Sequence, residues 1–193
     1  YRWVMEYSKN AIAFLDTQKA NVSTTWYVDE TVIKIAGQNM WFWDVIDEGT
    51  RFLIDTHLTE ARTIAVVKSL FERCLMRTDK SPRFIVSDKM RAYEDGIEQV
   101  FGADAVHITS ESVTSDISIN LIERFHGTLK DRTKVMRGFK TKETAQVILD
   151  GFVAHYDLFR PHMTLGSDTT PAEVAGIKLP FKTWEGFLRY MQS

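Results

Sequence analysis

Three acidic residues, Asp29, Asp88 and Glu123, lie at places in the sequence from which their side chains can be aimed at one divalent metal site. Asp29 falls inside a β-branched and aromatic run, Asp88 directly follows a short apolar run, and Glu123 belongs to a long helical pattern. Metal-dependent attack on a phosphodiester needs several hard oxygen ligands directed at one point, and carboxylates supply them. Because the chain holds 26 acidic residues, the local context of each acid has to decide.

The two aspartates also have structural interpretations. An unpaired charge at Asp29 would be costly inside so apolar a strand, so a lysine or arginine partner is the alternative to a metal. Glu30 points to the opposite face of that strand and is interpreted as structural, with a reserve role as a ligand. Asp88 stands at the carboxyl end of a strand, where catalytic groups of α/β sheets gather. An aspartate there can also cap a helix beginning near Met90.

The helical pattern around Glu123 has two faces. At 3.6 residues per turn, Asn120, Glu123, Gly127 and Lys130 share one face. Glycine costs a helix roughly 1 kcal/mol relative to alanine, so Gly127 indicates that something approaches the backbone there, and DNA is a candidate. The alternative is a solvated, salt-bridged helix face. His126 is interpreted either as a contact to the metal site or a phosphate, or as an ordinary surface histidine.

Length and composition exclude several classes of protein. With 193 residues, 44% of them hydrophobic, the chain can bury one core. It contains no apolar run of the roughly 18 residues that a membrane span needs and no signal-peptide pattern. Cys74 is the single cysteine, which excludes an internal disulfide and a cysteine-rich zinc site and fits a reducing compartment.

Positive charge is concentrated directly after the third acid. A net charge of −2 argues against a nucleic-acid coat protein, since phosphate binding draws on a positive surface. Basic residues nevertheless crowd one segment, opposed only by Asp131: Arg124, Lys130, Arg132, Lys134, Arg137, Lys140 and Lys142. The distribution of charge therefore favours a local phosphate-binding surface.

Hydrophobic periodicity and turn residues predict the order of the secondary-structure elements. Helical spacing over residues 1–19 precedes strands at 25–35, 40–46 and 51–57. We then predict a helix capped by Thr59 and running to about Met76, a strand at 83–87, a helix at 90–101 and a strand at 106–109. Two long helices follow, at 116–135 and around 145–156, and Thr170 to Glu173 form a capping box.

This order predicts an α/β fold of the ribonuclease H-like type. The sheet is expected to have five strands in a mixed arrangement, a three-stranded antiparallel meander plus two parallel strands, with helices flanking it. In that fold the first and fourth strands are parallel neighbours. Asp29 and Asp88 would then lie side by side, and the helix after the fifth strand would bring Glu123 over them.

With these segments in view, the chain resembles the catalytic domain of the DDE transposases of prokaryotic insertion sequences, within the retroviral-integrase superfamily. The nearest group is the insertion-sequence-six family. The resemblance rests on the 34-residue gap between Asp88 and Glu123, on Lys130 seven residues after the glutamate, and on several matching stretches. Those stretches are 26–31, 86–88, 120–126, 137–140, 160–162 and 170–173.

The resemblance implies that Asp29, Asp88 and Glu123 bind two Mg²⁺ or Mn²⁺ ions and catalyse nicking at transposon ends followed by strand transfer of the 3′-hydroxyl into target DNA. It implies DNA contacts from basic residues, a homodimer or higher oligomer, no membrane association, and a prokaryotic cytoplasmic, nucleoid-associated protein. The expected DNA contacts are Arg124, His126, Lys130, Arg132, Lys134, Arg137 and Lys140. Two alternatives stay open: a ribonuclease H-like nuclease or resolvase without strand transfer, and a domesticated non-catalytic DNA-binding module.

The chain departs from the family pattern in two ways. Val32 stands where many members have an aromatic residue, a change that a strand tolerates. The second departure that we expect is the lack of the N-terminal helix-turn-helix region that the family uses to recognise transposon ends. We therefore expect residues 1–22 to be a helical remnant of a truncated upstream region, 23–177 to be the catalytic core, and 178–193 to be a helical tail.

Overall fold

Runs rich in valine, isoleucine, phenylalanine and tryptophan form a five-stranded sheet with helices on both faces. The computed structural model describes residues 2–109, 120–136 and 138–192. The strands are β1 (Thr25–Ile35), β2 (Gln38–Asp47), β3 (Leu53–Thr59), β4 (Phe84–Ser87) and β5 (Val106–Thr109). The helices are α1 (Arg2–Asp16), α2 (Ile64–Thr78), α3 (Arg91–Phe101), α4 (Asn120–Lys134), α5 (Lys142–Leu158), α6 (Pro171–Val174) and α7 (Trp184–Tyr190).

The strands are arranged in the order β3-β2-β1-β4-β5. β1, β2 and β3 form an antiparallel meander, while β4 pairs in parallel with both β1 and β5. The predicted mixed sheet is confirmed, including the neighbouring first and fourth strands. Tyr27 of β1 is in register with Val86 of β4, and this pair sets the position of the acids that follow.

Alternation along the central strands divides the core into two layers. Val28, Trp43 and Val45 pack with side chains of α2 and α3 on what we call the α2–α3 face. Tyr27 and Phe42 pack with side chains of α4 and α5 on the other side, the α4–α5 face. Successive residues of one strand therefore point to opposite faces of the sheet, so Asp29 lies on the α4–α5 face and Glu30 on the α2–α3 face.

Several boundaries differ from the sequence-based expectation, and two of these differences have a physical cause in the structure. α2 begins at Ile64 with Thr63 as its cap, whereas Thr59 ends β3 and its hydroxyl accepts a hydrogen bond from the Trp43 indole at 2.7 Å. The buried indole takes the oxygen that was expected to cap the helix. β3 also begins two residues later than expected, at Leu53, because residues 47–51 form a tight turn.

Other expectations are confirmed at the level of packing. The Thr170 hydroxyl and the Glu173 carboxylate form the predicted capping box of α6. Trp26, Trp43 and Cys74 are fully buried and pack in the core. The predicted helix start at 116–119 lies outside the described residues.

α1 is packed tightly into the fold. Ala11 and Leu15 are buried in the same cluster as residues of the sheet. A Cβ at Gly151 of α5 would lie 2.8 Å from the Ser8 Cβ, so only glycine permits this approach of the two helices. The division of the chain at residues 22 and 177 stays a prediction. Within the part of the chain that the structure describes, no helix is long and apolar enough to cross a bilayer.

Candidate active site

Asp29 and Asp88 lie at the same edge of the sheet. Each follows the paired residues Tyr27 and Val86 by two positions, in β1 and directly after β4 respectively. The Asp29 Oδ1 accepts a hydrogen bond from the next backbone N–H at 2.9 Å. The Asp88 Oδ1 accepts one from the Met90 N–H, also at 2.9 Å. Asp88 thus stabilises the approach to α3 while its exposed carboxylate remains at the strand end.

A third aspartate, Asp44, lies directly across from Asp29 in the antiparallel pair of β1 and β2. Asp44 is fully buried and has no lysine or arginine partner among the described residues. Its Oδ1 lies 2.6 Å from the His126 Nε2, whereas its Oδ2 is buried without a hydrogen-bond partner in the described part of the chain. Sequence reasoning missed Asp44, although the signal was the one that singled out Asp29: an acid in the middle of an apolar strand.

His126 of α4 joins the two aspartates. Its side chain is buried, with Nε2 on Asp44 and Nδ1 3.5 Å from the Asp29 Oδ2. The interpretation of His126 as a surface histidine is therefore wrong, because the ring fills the space between β1, β2 and α4. This burial also directs the ring at carboxylates and away from solvent, which disfavours the direct DNA contact expected for it.

The pKa values in this cluster follow from burial and from like charges. Burial, with contributions from Asp44 and Glu30, raises the pKa of Asp29 to about 6, although His126 acts in the opposite direction. Burial also raises the pKa of Asp44. Burial alone would lower the pKa of His126, but the charge and hydrogen bond of Asp44, with the charge of Asp29, outweigh it and raise that pKa. The imidazole is thus biased toward its cationic form between two carboxylates.

Glu30, the next residue of β1, is held on the α2–α3 face. Its carboxylate forms an ion pair with Arg62 and accepts a hydrogen bond from the Tyr93 hydroxyl. Arg62 also lies over the Trp41 ring, 4.4 Å from its centroid. These contacts confirm the structural role predicted for Glu30, since both of its oxygens already have partners.

Glu123 lies on α4 one turn before His126, with its side chain exposed. The predicted two faces of the helix are confirmed: Ile122, Phe125 and Leu129 are buried, while Gly127 and Lys130 are exposed. In residues 2–109, 120–136 and 138–192, no three histidine, cysteine or acidic side chains already form a metal cage. The structure thus gathers Asp29, Asp44 and His126, sets Asp88 on the adjacent strand end, and leaves Glu123 on the neighbouring helix.

The basic segment follows the outer surface of α4 and continues beyond it. Among the described residues, no atom lies within 4 Å of a Cβ built at Gly127, so no described side chain packs against the backbone there. Arg137 lies outside the described residues. Lys142 is half-buried and lies 3.3 Å from the Glu60 carboxylate. The remaining basic residues are exposed: Arg124, Lys130, Arg132, Lys134 and Lys140.

Comparison with solved structures identifies the same fold in retroviral integrases. The catalytic core domain of HTLV-2 integrase, in complex with magnesium in a trimeric form, matches with a TM-score of 0.62 and 14% identity, covering 82% of this chain and 99% of that chain. The catalytic core domain of BIV integrase matches with a TM-score of 0.58 and 18% identity, covering 79% of this chain and 93% of that chain. Similarity at this level supports the ribonuclease H-like fold.

Sequence comparison identifies the family. The chain is 26% identical over 165 residues to the transposase for insertion sequence-like element IS431mec of Staphylococcus aureus, which covers 83% of this chain and 69% of the relative. The transposase for insertion sequence element IS257 in transposon Tn4003 of the same species matches to the same extent. Residues 23–162, more than half of the chain, match the DDE domain of the IS240 transposase type. The chain therefore belongs to the DDE domain family of insertion-sequence transposases, whose members are polynucleotidyl transferases.

Proposed function

We propose that this DDE transposase domain nicks DNA at transposon ends and joins the freed 3′-hydroxyl to target DNA, with Asp29, Asp88 and Glu123 as ligands for two Mg²⁺ or Mn²⁺ ions. The observation that supports this best is the parallel register of β1 with β4, since Asp29 and Asp88 each follow the paired residues Tyr27 and Val86 by two positions on neighbouring strands. Glu123 stands on the helix whose His126 contacts Asp29.

The donor set fits these metals. Carboxylate oxygens are the ligands that hard divalent cations prefer, and none of the three acids forms an ion pair with a lysine or arginine among the described residues. When bound, Mg²⁺ or Mn²⁺ supplies Lewis-acid chemistry, activating the attacking oxygen and stabilising charge on the phosphate during in-line displacement. Asp29 has to be deprotonated to act as a ligand, and a pKa of about 6 leaves it largely ionised at neutral pH.

Asp44 and His126 act on the metal site through Asp29. The hydrogen bond to Asp44 fixes the orientation of the imidazole, and the opposite ring nitrogen then faces one oxygen of Asp29. A buried carboxylate that orients a histidine, which in turn orients a ligand, restricts the rotamers of that ligand. We assign Asp44 and His126 as positioning residues for Asp29.

The exposed face of α4 and the segment after it support DNA contacts. Arg124, Lys130, Arg132, Lys134 and Lys140 would bind phosphates, which position DNA without reading its sequence; for Arg137 the same role is proposed from sequence alone. Because the proposed substrate is chromosomal DNA, the expected place of action is the nucleoid.

Self-association is part of the proposal. The HTLV-2 integrase core was solved in trimeric and dimeric forms, and a simian T-cell lymphotropic virus protein of the same fold was solved within an intasome. Joining transposon ends to a target also requires two DNA ends to be handled together. We expect a dimer or higher oligomer, and sedimentation showing a strict monomer with transposon-end DNA bound would contradict this.

Product analysis on labelled DNA with Mn²⁺ tests the proposed reaction. A strand-transfer product, in which a 3′ end is joined to a second duplex, is expected for the wild-type chain and absent for Asp29→Asn, Asp88→Asn and Glu123→Gln. Asp104→Asn, which alters an exposed acid in the turn after α3, is the matched control. Cleavage without joining would indicate a nuclease or resolvase, and DNA binding with neither product would indicate a non-catalytic module.

A further inference from the structure

A pocket opens beside the candidate active site on the α4–α5 face, with a volume of about 510 Å³. Its walls come from β1, the turn between β2 and β3, the first turns of α4, and the segment that follows α5. Tyr27 on one wall precedes Asp29 by two residues on the same face of β1, or about 7 Å along the strand. Arg124 on another wall directly follows Glu123. The pocket is thus a neighbour of the proposed metal site.

The side chains that line the pocket are mainly positive among those that carry charge. Arg51, Arg124 and Arg160 line it, and within the described residues none of the three forms an ion pair with a carboxylate. The one acidic side chain among its described lining residues is Glu48, whose Oε1 already accepts a hydrogen bond from the Tyr27 hydroxyl at 3.1 Å. Guanidinium groups that converge without carboxylate partners are suited to a phosphate.

The position of Arg51 is built into the fold. Its φ of 63° is left-handed, a conformation that costs a residue with a side chain about 1–2 kcal/mol. The buried Asp47 holds the turn, because its Oδ2 accepts from the Thr50 N–H and hydroxyl at 2.7 Å each. Its Oδ1 accepts from the Ser23 hydroxyl at 2.6 Å. Backbone strain that is held in place by surrounding hydrogen bonds is typical of functional positions.

The floor of the pocket is aromatic and carries an unused polar atom. The Tyr156 and His162 rings meet edge to face with centroids 4.5 Å apart, and the Arg160 guanidinium lies 5.8 Å from the Tyr156 centroid. The His162 Nε2 is buried without a hydrogen-bond partner in the described part of the chain. Burial, Arg160 and Arg51 lower the pKa of His162 to about 4, so the imidazole is neutral at pH 7.

We propose that this pocket, which we call the arginine pocket, binds one nucleotide unit of the DNA strand beside the reacting phosphate, with its phosphate held by Arg51, Arg124 and Arg160. The inference rests on the proposed function, since it takes DNA as the ligand, and it assigns Arg51 and Arg160 to substrate binding. A pocket of this size exceeds a bare phosphate and lies in the range of small-ligand sites. Tyr156 and His162 line the part of the pocket that would hold the sugar and base.

Fluorescence anisotropy with a labelled oligonucleotide carrying a single-stranded 3′ tail tests the proposal. Measured in EDTA, binding is independent of metal and catalysis. Arg51→Gln and Arg160→Gln are each expected to weaken binding about 10- to 100-fold, the effect of one charge-assisted hydrogen bond, and to reduce the salt dependence by about one phosphate contact. Arg189→Gln, which removes an exposed arginine of α7, is the matched control and should bind like wild type.

A chemical cycle locates the contact. Neutral methylphosphonate groups, introduced one phosphate at a time, are expected to weaken wild-type binding most at one position of the tail. The loss at that position should be smaller in Arg51→Gln or Arg160→Gln, because each variant already lacks one of the three contacts to that phosphate. Wild-type affinity in both variants, whose folding is checked by thermal melting, would overturn the proposal. If Arg51→Gln fails to fold, Arg160→Gln alone carries the test, because it lies outside the strained turn.

Competition experiments, and a comparison of binding with nicking, distinguish a DNA-binding pocket from a site for free anions and separate this proposal from the proposed function. Orthophosphate and a free mononucleotide are used as competitors, and displacement of DNA by either at micromolar concentration would assign the pocket to a free anion and overturn the proposal. If the wild-type chain binds DNA through this pocket but never nicks or joins it, the proposed function is wrong and the arginine pocket is supported. If the wild-type chain nicks DNA and the arginine variants bind DNA as tightly as wild type, the proposed function is supported and the arginine pocket is overturned.

Discussion

Asp29 and Glu30 are adjacent in β1, yet the two faces of the sheet treat their carboxylates in opposite ways. On the α2–α3 face, Glu30 is neutralised by Arg62 and hydrogen-bonded by Tyr93. On the α4–α5 face, Asp29 meets a second carboxylate, Asp44, and a histidine shared between them. On the α2–α3 face, both oxygens of the Glu30 carboxylate have partners. On the α4–α5 face, two carboxylates share a single histidine, so their negative charge is not fully balanced.

This difference shows how a strand separates structure from chemistry at neighbouring residues. A buried acid with a cationic partner contributes to the fold, whereas a buried acid beside other acids destabilises the fold until a cation arrives. Burial raises the pKa of both acids, but Asp44 adds to the rise in the pKa of Asp29, whereas Tyr93 and Arg62 oppose the rise in the pKa of Glu30. The contrast between residues 29 and 30 leads to four predictions.

The largest effect is expected when the two acids are neutralised separately. Asp29→Asn should reduce metal-dependent nicking by about a thousand-fold or more, because a metal contributes several kcal/mol and each 1.36 kcal/mol is tenfold in rate. Glu30→Gln should keep the rate per folded molecule within several-fold of wild type. The measurement is single-turnover nicking of labelled DNA. Equal losses in the two variants would mean that the two faces are not functionally distinct.

A smaller effect is expected from the positioning residues. His126→Ala and Asp44→Asn should each weaken Mn²⁺ binding or nicking by about 10- to 100-fold, the range measured for residues that orient metal ligands. His126→Ala should be the more severe, because an amide at position 44 can still accept a hydrogen bond from the imidazole. Calorimetric titration with Mn²⁺, at a temperature where each variant is folded, is the measurement. If the two variants melt at a lower temperature but bind Mn²⁺ as tightly as wild type, both residues have a structural role only.

On the opposite face, the expected effect is on stability. Glu30→Gln should lower the free energy of unfolding by about 1–3 kcal/mol, because it weakens the bond to Tyr93 and leaves Arg62 without its partner. Urea denaturation measures the change, and Glu60→Gln, at an exposed acid paired with Lys142, is the control, expected to stay within about 0.5 kcal/mol. A Glu30→Gln variant as stable as its control would contradict the assigned role of Glu30.

The smallest effect concerns pH. The pKa of Asp29 is about 6 in the folded chain and about 3.9 for an unfolded aspartate, so between these values the folded state binds more protons. The metal-free protein should therefore lose stability as pH rises from about 4 to about 6, by on the order of 1–3 kcal/mol. Asp29→Asn should make this part of the profile less steep, with Asp150, whose pKa is also raised to about 6, accounting for part of the remaining slope, and should be more stable than wild type above pH 6. Urea denaturation in EDTA between about pH 4 and pH 6 measures this change. A free energy of unfolding that rises with pH in the wild-type protein would contradict the prediction.

Much of the fold could be predicted from sequence because its signals are local. Alternating apolar residues with short glycine-containing breaks define the meander, and β5 was predicted with its observed bounds. The start of α2 was missed because Thr59 and Thr63 are equally good caps by type. The choice between them depends on the Trp43 indole, a contact between strands that no local pattern encodes.

The candidate site could be predicted only in part. The positions of Asp29 and Asp88 follow from strand order, but Asp44 and His126 matter through a contact between β2 and α4 that are far apart in sequence. The hairpin register that places Asp44 opposite Asp29 depends on residues 35 and 38 closing the turn, whereas the predicted strands at 25–35 and 40–46 would pair Asp29 with Ile46. The depth of His126 could not be predicted either, because its helical spacing puts it at the border between the two faces of α4.

Anomalous diffraction from crystals grown with Mn²⁺ tests whether the three acids hold the metal. We expect manganese peaks bound by oxygens of Asp29, Asp88 and Glu123, with His126 still bridging Asp29 and Asp44. Peaks absent from this edge of the sheet at saturating Mn²⁺, or a metal held by Glu30 on the α2–α3 face, would contradict it.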